Sequence, residues 1–178
     1  MSEVDAELVR RTLTGDRTAF EALVAAHLVR ARAVARTVLR DEAAIDDVLQ
    51  ESFIRAYERL GQLSEAATFP SWLCTIVRNE SITWLRRSGR MKAVHIDDVE
   101  PPAAAEPEGP DPMVERLKTA LVQLPVGYRE ILALKYEADL NYEQIAETLG
   151  ITVPNVEKRL YRARQALIKL MPELGSLL

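Results

Sequence analysis

Apolar residues recur along this chain at the three- and four-residue spacing of helices, and nowhere in the two-residue alternation of strands. The pattern predicts helices near 3–13, 17–39, 42–60 and 69–88, then near 112–123, 126–137, 141–149 and 152–171. Gly15-Asp16 breaks the first pair, Asp41 stands where an N-cap is needed, and Gly61 stops the third helix. Within that third helix Ile45, Val48, Leu49, Phe53, Ala56, Tyr57 and Leu60 form one stripe expected to be buried. The expected fold class is all-α.

The composition breaks once. Residues 100–112 carry five prolines and almost nothing that enters a core. Proline removes a backbone donor and blocks helix continuation, so an extended linker is expected over 91–112, between units at 1–90 and 113–178. Charge follows the same division. Arg78, Arg86, Arg87, Arg90 and Lys92 face one acid, Glu80, between 78 and 92; seven acids and no base run from Ile96 to Glu115. Lys158, Arg159, Arg162, Arg164 and Lys169 then face Glu157 alone between 153 and 169. Two basic helices on either side of an acidic tether are the first functional clue.

The remaining composition mostly excludes. No apolar run is long enough for a bilayer, and the first residues lack the basic-then-apolar order of a secretion signal, so a cytoplasmic protein is expected. The lone Cys74 has no disulfide partner, and with His27 and His95 it makes no metal-ligand spacing. Neither a nucleophile–base pair nor a glycine-rich phosphate loop is present, so no enzyme, cofactor, metal or small-molecule substrate is expected.

The sharpest constellation runs from Tyr142 to Leu160. Tyr142, Ile145, Ala146 and Leu149 make an apolar face on a short helix, Gly150 allows a tight turn, and Thr152 is placed to cap the next helix. This is the pattern of a helix-turn-helix, whose second helix enters the DNA major groove. At about 100° per residue, Val153, Val156, Leu160, Ala163 and Leu167 share one side of that helix. Asn155, Lys158, Arg159, Arg162, Gln165 and Lys169 share the other and offer donors for phosphates and base edges. A merely solvated basic face would carry similar charges; the preceding helix, the glycine turn and the absence of acids on the face favour DNA.

Two other helices carry candidate surfaces. On 69–88, Phe69, Leu73, Ile76, Val77 and Trp84 form a core stripe, and beside it Trp72, Asn79 and Arg86 recur every seven residues. An aromatic, an amide and a guanidinium in line suit unpaired DNA, where bases stack and phosphates meet cations. Packing of Trp72 on the 17–39 helix accounts for the spacing equally well. On 42–60, Ile54 lies among Asp46, Asp47, Gln50, Glu51 and Glu58, an apolar residue ringed by polar ones as at many protein contacts.

Taken together these residues resemble the extracytoplasmic-function sigma factors, the two-domain branch of the sigma-70 family. Asp46-Asp47-Val48-Leu49-Gln50-Glu51-Ser52-Phe53-Ile54-Arg55-Ala56-Tyr57 is similar to the family's polymerase-binding helix. Residues 69–80 with Trp84-Leu85-Arg86-Arg87 resemble its promoter-melting helix, and 124–164 its −35-binding domain. The resemblance implies a factor that binds core RNA polymerase at the β′ clamp helices and β flap and gives it promoter specificity. Polymerase would be met by Asp46, Asp47, Gln50, Glu51, Ile54 and Arg55. The −10 element would be captured by Gln62, Leu63, Ser64, Trp72, Asn79, Arg86 and Arg87, and the −35 element read by Asn155, Lys158, Arg159, Arg162, Gln165 and Lys169. It also implies an anti-sigma partner and a linker threading toward the polymerase cleft. Pro154 and Glu157 stand where relatives often carry glycine and lysine, so −35 specificity does not carry over. Cys74 reads as a packing residue. The alternative is a helix-turn-helix regulator that acts as a dimer on a palindrome without docking on polymerase.

Overall fold

The computed structural model describes residues 3–89 and 111–176, which contain eight α-helices and no strand. These are α1 Glu3–Leu13, α2 Arg17–Val38, α3 Glu42–Arg59, α4 Phe69–Arg87, α5 Pro112–Gln123, α6 Val126–Tyr136, α7 Tyr142–Leu149 and α8 Val153–Leu170. Short 3-10 turns at Leu60–Gln62 and Ala66–Thr68 carry the chain from α3 into α4, and a third at Pro172–Ser176 follows α8. The proline-rich tether expected over 91–112 lies outside the described residues except at its end, where Asp111 caps α5 and Pro112 opens it. Among the described residues no helix is long and apolar enough to cross a membrane.

Local chemistry sets the helix ends. Gly15 takes a left-handed φ of 97°, and Asp16 then accepts the amides of Thr18 at 3.0 Å and Ala19 at 3.3 Å. The Thr18 hydroxyl, and after it the Arg11 guanidinium, hold the Asp16 carboxyl down at about 2 from the ordinary 3.8. A folded-state value below the unfolded one means that the carboxylate stabilises the cap above 3.8 and loses that contribution as pH falls through about 2. Urea melts followed by circular dichroism should therefore weaken across this window, and Asp16→Asn should flatten that part of the profile. An unaltered profile in the variant would show that Asp16 has no part in it.

The first four helices pack together. Leu23, Ile45, Leu60, Phe69 and Leu73 are fully buried where α2, α3 and α4 meet. A polar strut ties α1 to α2: His27 Nε2 lies 3.0 Å from Asp5 Oδ1, and Arg30 Nη1 lies 3.2 Å from His27 Nδ1. An arginine only donates, so Nδ1 is the acceptor and Nε2–H points at Asp5. The last four helices bury Leu124, Ile131, Leu134, Leu140, Ile145, Leu160 and Met171. Asn141 and Gln144 cap α7 reciprocally, and Gly150 ends it at φ 65°.

The two helical groups touch. α6 packs on α2 and α7 on α4. Arg78 Nε of α4 donates to Glu130 Oε1 of α6 at 2.6 Å, and the Ser71 hydroxyl lies 3.4 Å from Glu147 Oε2 of α7.

Candidate nucleic-acid interface

α8 rests on α6 and α7 through Val156, Leu160, Ala163 and Leu167, all buried. Asn155, Lys158, Arg162, Gln165 and Lys169 are left exposed on the side away from this stripe. Arg159 is half-buried and lies on the flank rather than the outer face. Tyr161 joins that face, 64% exposed, one residue before Arg162. Its ring carries no charge, yet the helical period places it there. A tyrosine ring in a row of cations and amides offers apolar contact to a thymine methyl. Arg164 is spoken for: its Nε donates to the Tyr136 hydroxyl at 2.8 Å and its guanidinium sits 5.7 Å from that ring, bracing α8 on α6. Thr152 occupies the N-cap with extended backbone, but its side chain makes no cap bond; Pro154 sits in the first turn, where a missing N–H costs nothing.

On α4, Phe69, Leu73 and Val77 are fully buried, with Ile76 and Trp84 half-buried. Asn79, Arg86 and Arg87 are exposed. Trp72 is half-buried beside Phe69, ring centroids 6.1 Å apart, so its ring is neither fully in the core nor fully exposed. Gln62 and Ser64 are exposed and Leu63 half-buried in the connection between the 3-10 turns, just ahead of α4.

The polar face of α3 is more tied down than its sequence implies. Arg32 reaches Asp46 at 2.5 Å and Glu42 at 3.1 Å. Arg55 bonds Glu51 and the α4 residue Glu80, each at 2.7 Å, and these carboxylates, Glu51 first, raise its pKa. Arg55 is thus a strut between α3 and α4. Asp47, Gln50 and Ile54 remain exposed, Ile54 at 46%. Tyr57, expected in the buried stripe, is 43% exposed; its ring meets Phe20 in a T-shaped contact, with centroids 5.0 Å apart. It widens the apolar patch around Ile54, all within about 60° on the helix.

Cys74 lies in the core, fully buried, and desolvation pushes its thiol up to about 12 despite the nearby Arg30. It should resist alkylation in the native protein and react only in denaturant; fast native labelling with a thiol reagent would contradict that burial. Among the described residues no group of three His, Cys, Asp or Glu side chains is arranged to hold a metal ion.

Comparison with known proteins agrees with this layout. Residues 23–91 match the model for sigma-70 region 2, and residues 114–167 the model for sigma-70 region 4. Over 97% of its length the chain is 31% identical to the ECF RNA polymerase sigma factor SigM of Mycobacterium tuberculosis, covering 87% of that protein. Over 84% of its length it is 38% identical to the probable RNA polymerase sigma factor RfaY of Xanthomonas campestris, but spans only 40% of that relative. Among solved structures it is similar to CnrH in complex with the cytosolic domain of CnrY. There the TM-score is 0.72 at 27% identity, covering 96% of this chain and 99% of that one. Two region models in order, and a relative matched nearly end to end, place the chain in the sigma-70 family, in its extracytoplasmic-function branch.

Proposed function

We propose that this protein binds core RNA polymerase and directs initiation at promoters, with residues 1–90 docking on polymerase and opening the −10 element, and residues 113–178 reading the −35 element. The observation that carries this reading is the outer face of α8, where Asn155, Lys158, Tyr161, Arg162, Gln165 and Lys169 stand exposed opposite a buried stripe. Arg159 supports that face from its flank. For the −10 element the reading assigns Asn79, Arg86 and Arg87 to the strand backbone and bases, and the exposed part of the Trp72 ring to stacking. Gln62, Leu63 and Ser64 lie on the approach to α4 and suit the capture of a flipped base.

Polymerase docking is assigned to Asp47, Gln50, Ile54 and Tyr57, with Asp46, Glu51 and Arg55 holding the face in shape through their ion pairs. The protein then works by binding rather than by catalysis, in the cytoplasm where polymerase and promoter meet. CnrH is bound by the cytosolic domain of CnrY, and by that likeness we assign this protein an anti-sigma partner. Run-off transcription with core polymerase and a library of genomic promoters tests the whole reading. Discrete transcripts that depend on the added protein are expected. Their absence with every core enzyme offered would defeat it.

A further inference from the structure

Two arginines one turn apart at the end of α3 have different fates. Arg55 is engaged by Glu51 and by Glu80 of α4, each at 2.7 Å. Arg59 follows on the same side of the helix, about 40° round. It is exposed and makes no hydrogen bond or ion pair among the described residues. A cation in the last turn complements the negative end of the helix, but that role needs only the charge and not this position.

The position is at the foot of the loop assigned to a flipped base. Arg59 leads directly into the turn Leu60–Gln62, and Leu63 and Ser64 follow. The Arg55–Glu80 bond sets the level of the two helices. Because the chain turns back between them, residues beyond Arg55 on α3 lie toward residues ahead of Glu80 on α4. Arg59 is thereby carried toward the stretch holding Trp72 and Ile76, both half-buried. Cations are otherwise missing at this end. Residues 60–77 include no lysine or arginine, and Glu58 and Glu65 are exposed on either side of the loop. Arg86 and Arg87 stand 14 and 15 residues beyond Trp72, or ~21 Å along α4. Arg78, nearer, is taken by Glu130 at 2.6 Å.

Flipping a base turns its nucleotide about its own backbone. The phosphates on either side of it must therefore be held close to the pocket, or the nucleotide swings back into the stack. Phosphates fixed only by Arg86 and Arg87 are too far along α4 to do this, and the two acids beside the loop repel any phosphate left without a cation. We propose that Arg59 binds the phosphate beside the flipped nucleotide, so that the unstacked base is presented to Trp72 and to the loop of Gln62, Leu63 and Ser64. The proposal deepens the −10 reading above and rests on it. Arg59 is a positioning residue in this scheme: it holds the backbone and reads no base.

The test uses the full chain in a Trp84→Phe background, where Trp72 is the remaining tryptophan. A single-stranded dT oligonucleotide should quench its fluorescence as a base stacks on the ring. Arg59→Gln should bind about two- to fivefold more weakly at low salt, with a salt slope shallower by about 0.7. At saturating oligonucleotide its quench should fall well below that of the parent, which a loss of affinity alone would not cause. Arg59→Lys should restore the slope and most of the quench. The control is Arg17→Gln, which removes another exposed, unpartnered cation. Arg17 is one turn ahead of Phe20, which packs on Tyr57, and Tyr57 points about 160° round α3 from Arg59. Its loss should leave the quench at saturation unaltered.

A full quench and an unchanged slope in Arg59→Gln would overturn the proposal. So would an equal loss of quench in Arg17→Gln, which would trace the effect to overall charge. Run-off transcription by the wild-type protein reports separately on the promoter reading: transcripts together with an unaltered Arg59→Gln quench reject the role of Arg59 alone.

Discussion

Ile54→Glu should abolish binding to core RNA polymerase while leaving the protein folded. Ile54 is about half exposed on α3, flanked by Asp47 and Gln50 and followed one turn later by Tyr57. An apolar anchor at the centre of a protein contact is worth on the order of 2–4 kcal/mol, a loss of about 30- to 1,000-fold in affinity. Glutamate adds a desolvation penalty to that and joins a face already rich in acids. Folding should hardly notice, because the site is exposed, glutamate is a good helix former, and surface changes of this kind stay within about 0.5 kcal/mol. Anisotropy of labelled protein against core enzyme measures the effect, with thermal melting and −35 duplex binding as controls. Core affinity within threefold of wild type would place the docking face elsewhere.

The second large effect is expected from Arg162→Ala. Arg162 is exposed on the α8 face between Lys158 and Gln165 and follows Tyr161. Nothing in the described protein competes for its guanidinium, in contrast to Arg164, which is engaged by Tyr136. If it reads a base edge, its loss costs about 1–3 kcal/mol and relaxes preference at one position of the element. If it holds a phosphate, binding weakens for all sequences alike and the salt slope falls by about one. Titration of −35 duplexes at several salt concentrations decides between these outcomes. Unchanged affinity and slope together would remove Arg162 from the interface. Arg164→Ala makes a useful contrast, because its effect should be on thermal stability rather than on the salt slope.

Helix positions were legible in the sequence because the signals that set them are local. Asp16 caps α2 two and three residues ahead of the amides it accepts, and Gly150 ends α7 by a single left-handed φ. Each helix lies within one residue of its expected span for that reason. The outer face of α8 was equally legible, since a buried stripe at helical period defines what faces away from it. Departures came at the edges of faces. Arg159 and Tyr57 lie near the boundary between buried and exposed sectors, where the height of the neighbouring helix decides the outcome. Tyr161 lies on that face by the helical period alone, but its ring carries none of the charge that marks the other positions.

Ion pairs between helices were not legible, although the i,i+4 pair Glu51–Arg55 lies within one helix. Asp46, Glu51 and Arg55 look like free members of a docking face, yet Arg32, Arg55 and Glu80 engage them across 14, 4 and 25 residues. The Arg78–Glu130 pair spans 52 residues. Hydrophobic period and capping are properties of a few neighbouring residues, so the chain alone determined the eight described helices and the exposed basic side of α8. Which charges meet depends on how whole helices pack, and only the tertiary structure decided that Ile54 stands clear of ion pairs while Arg78 is held under α6.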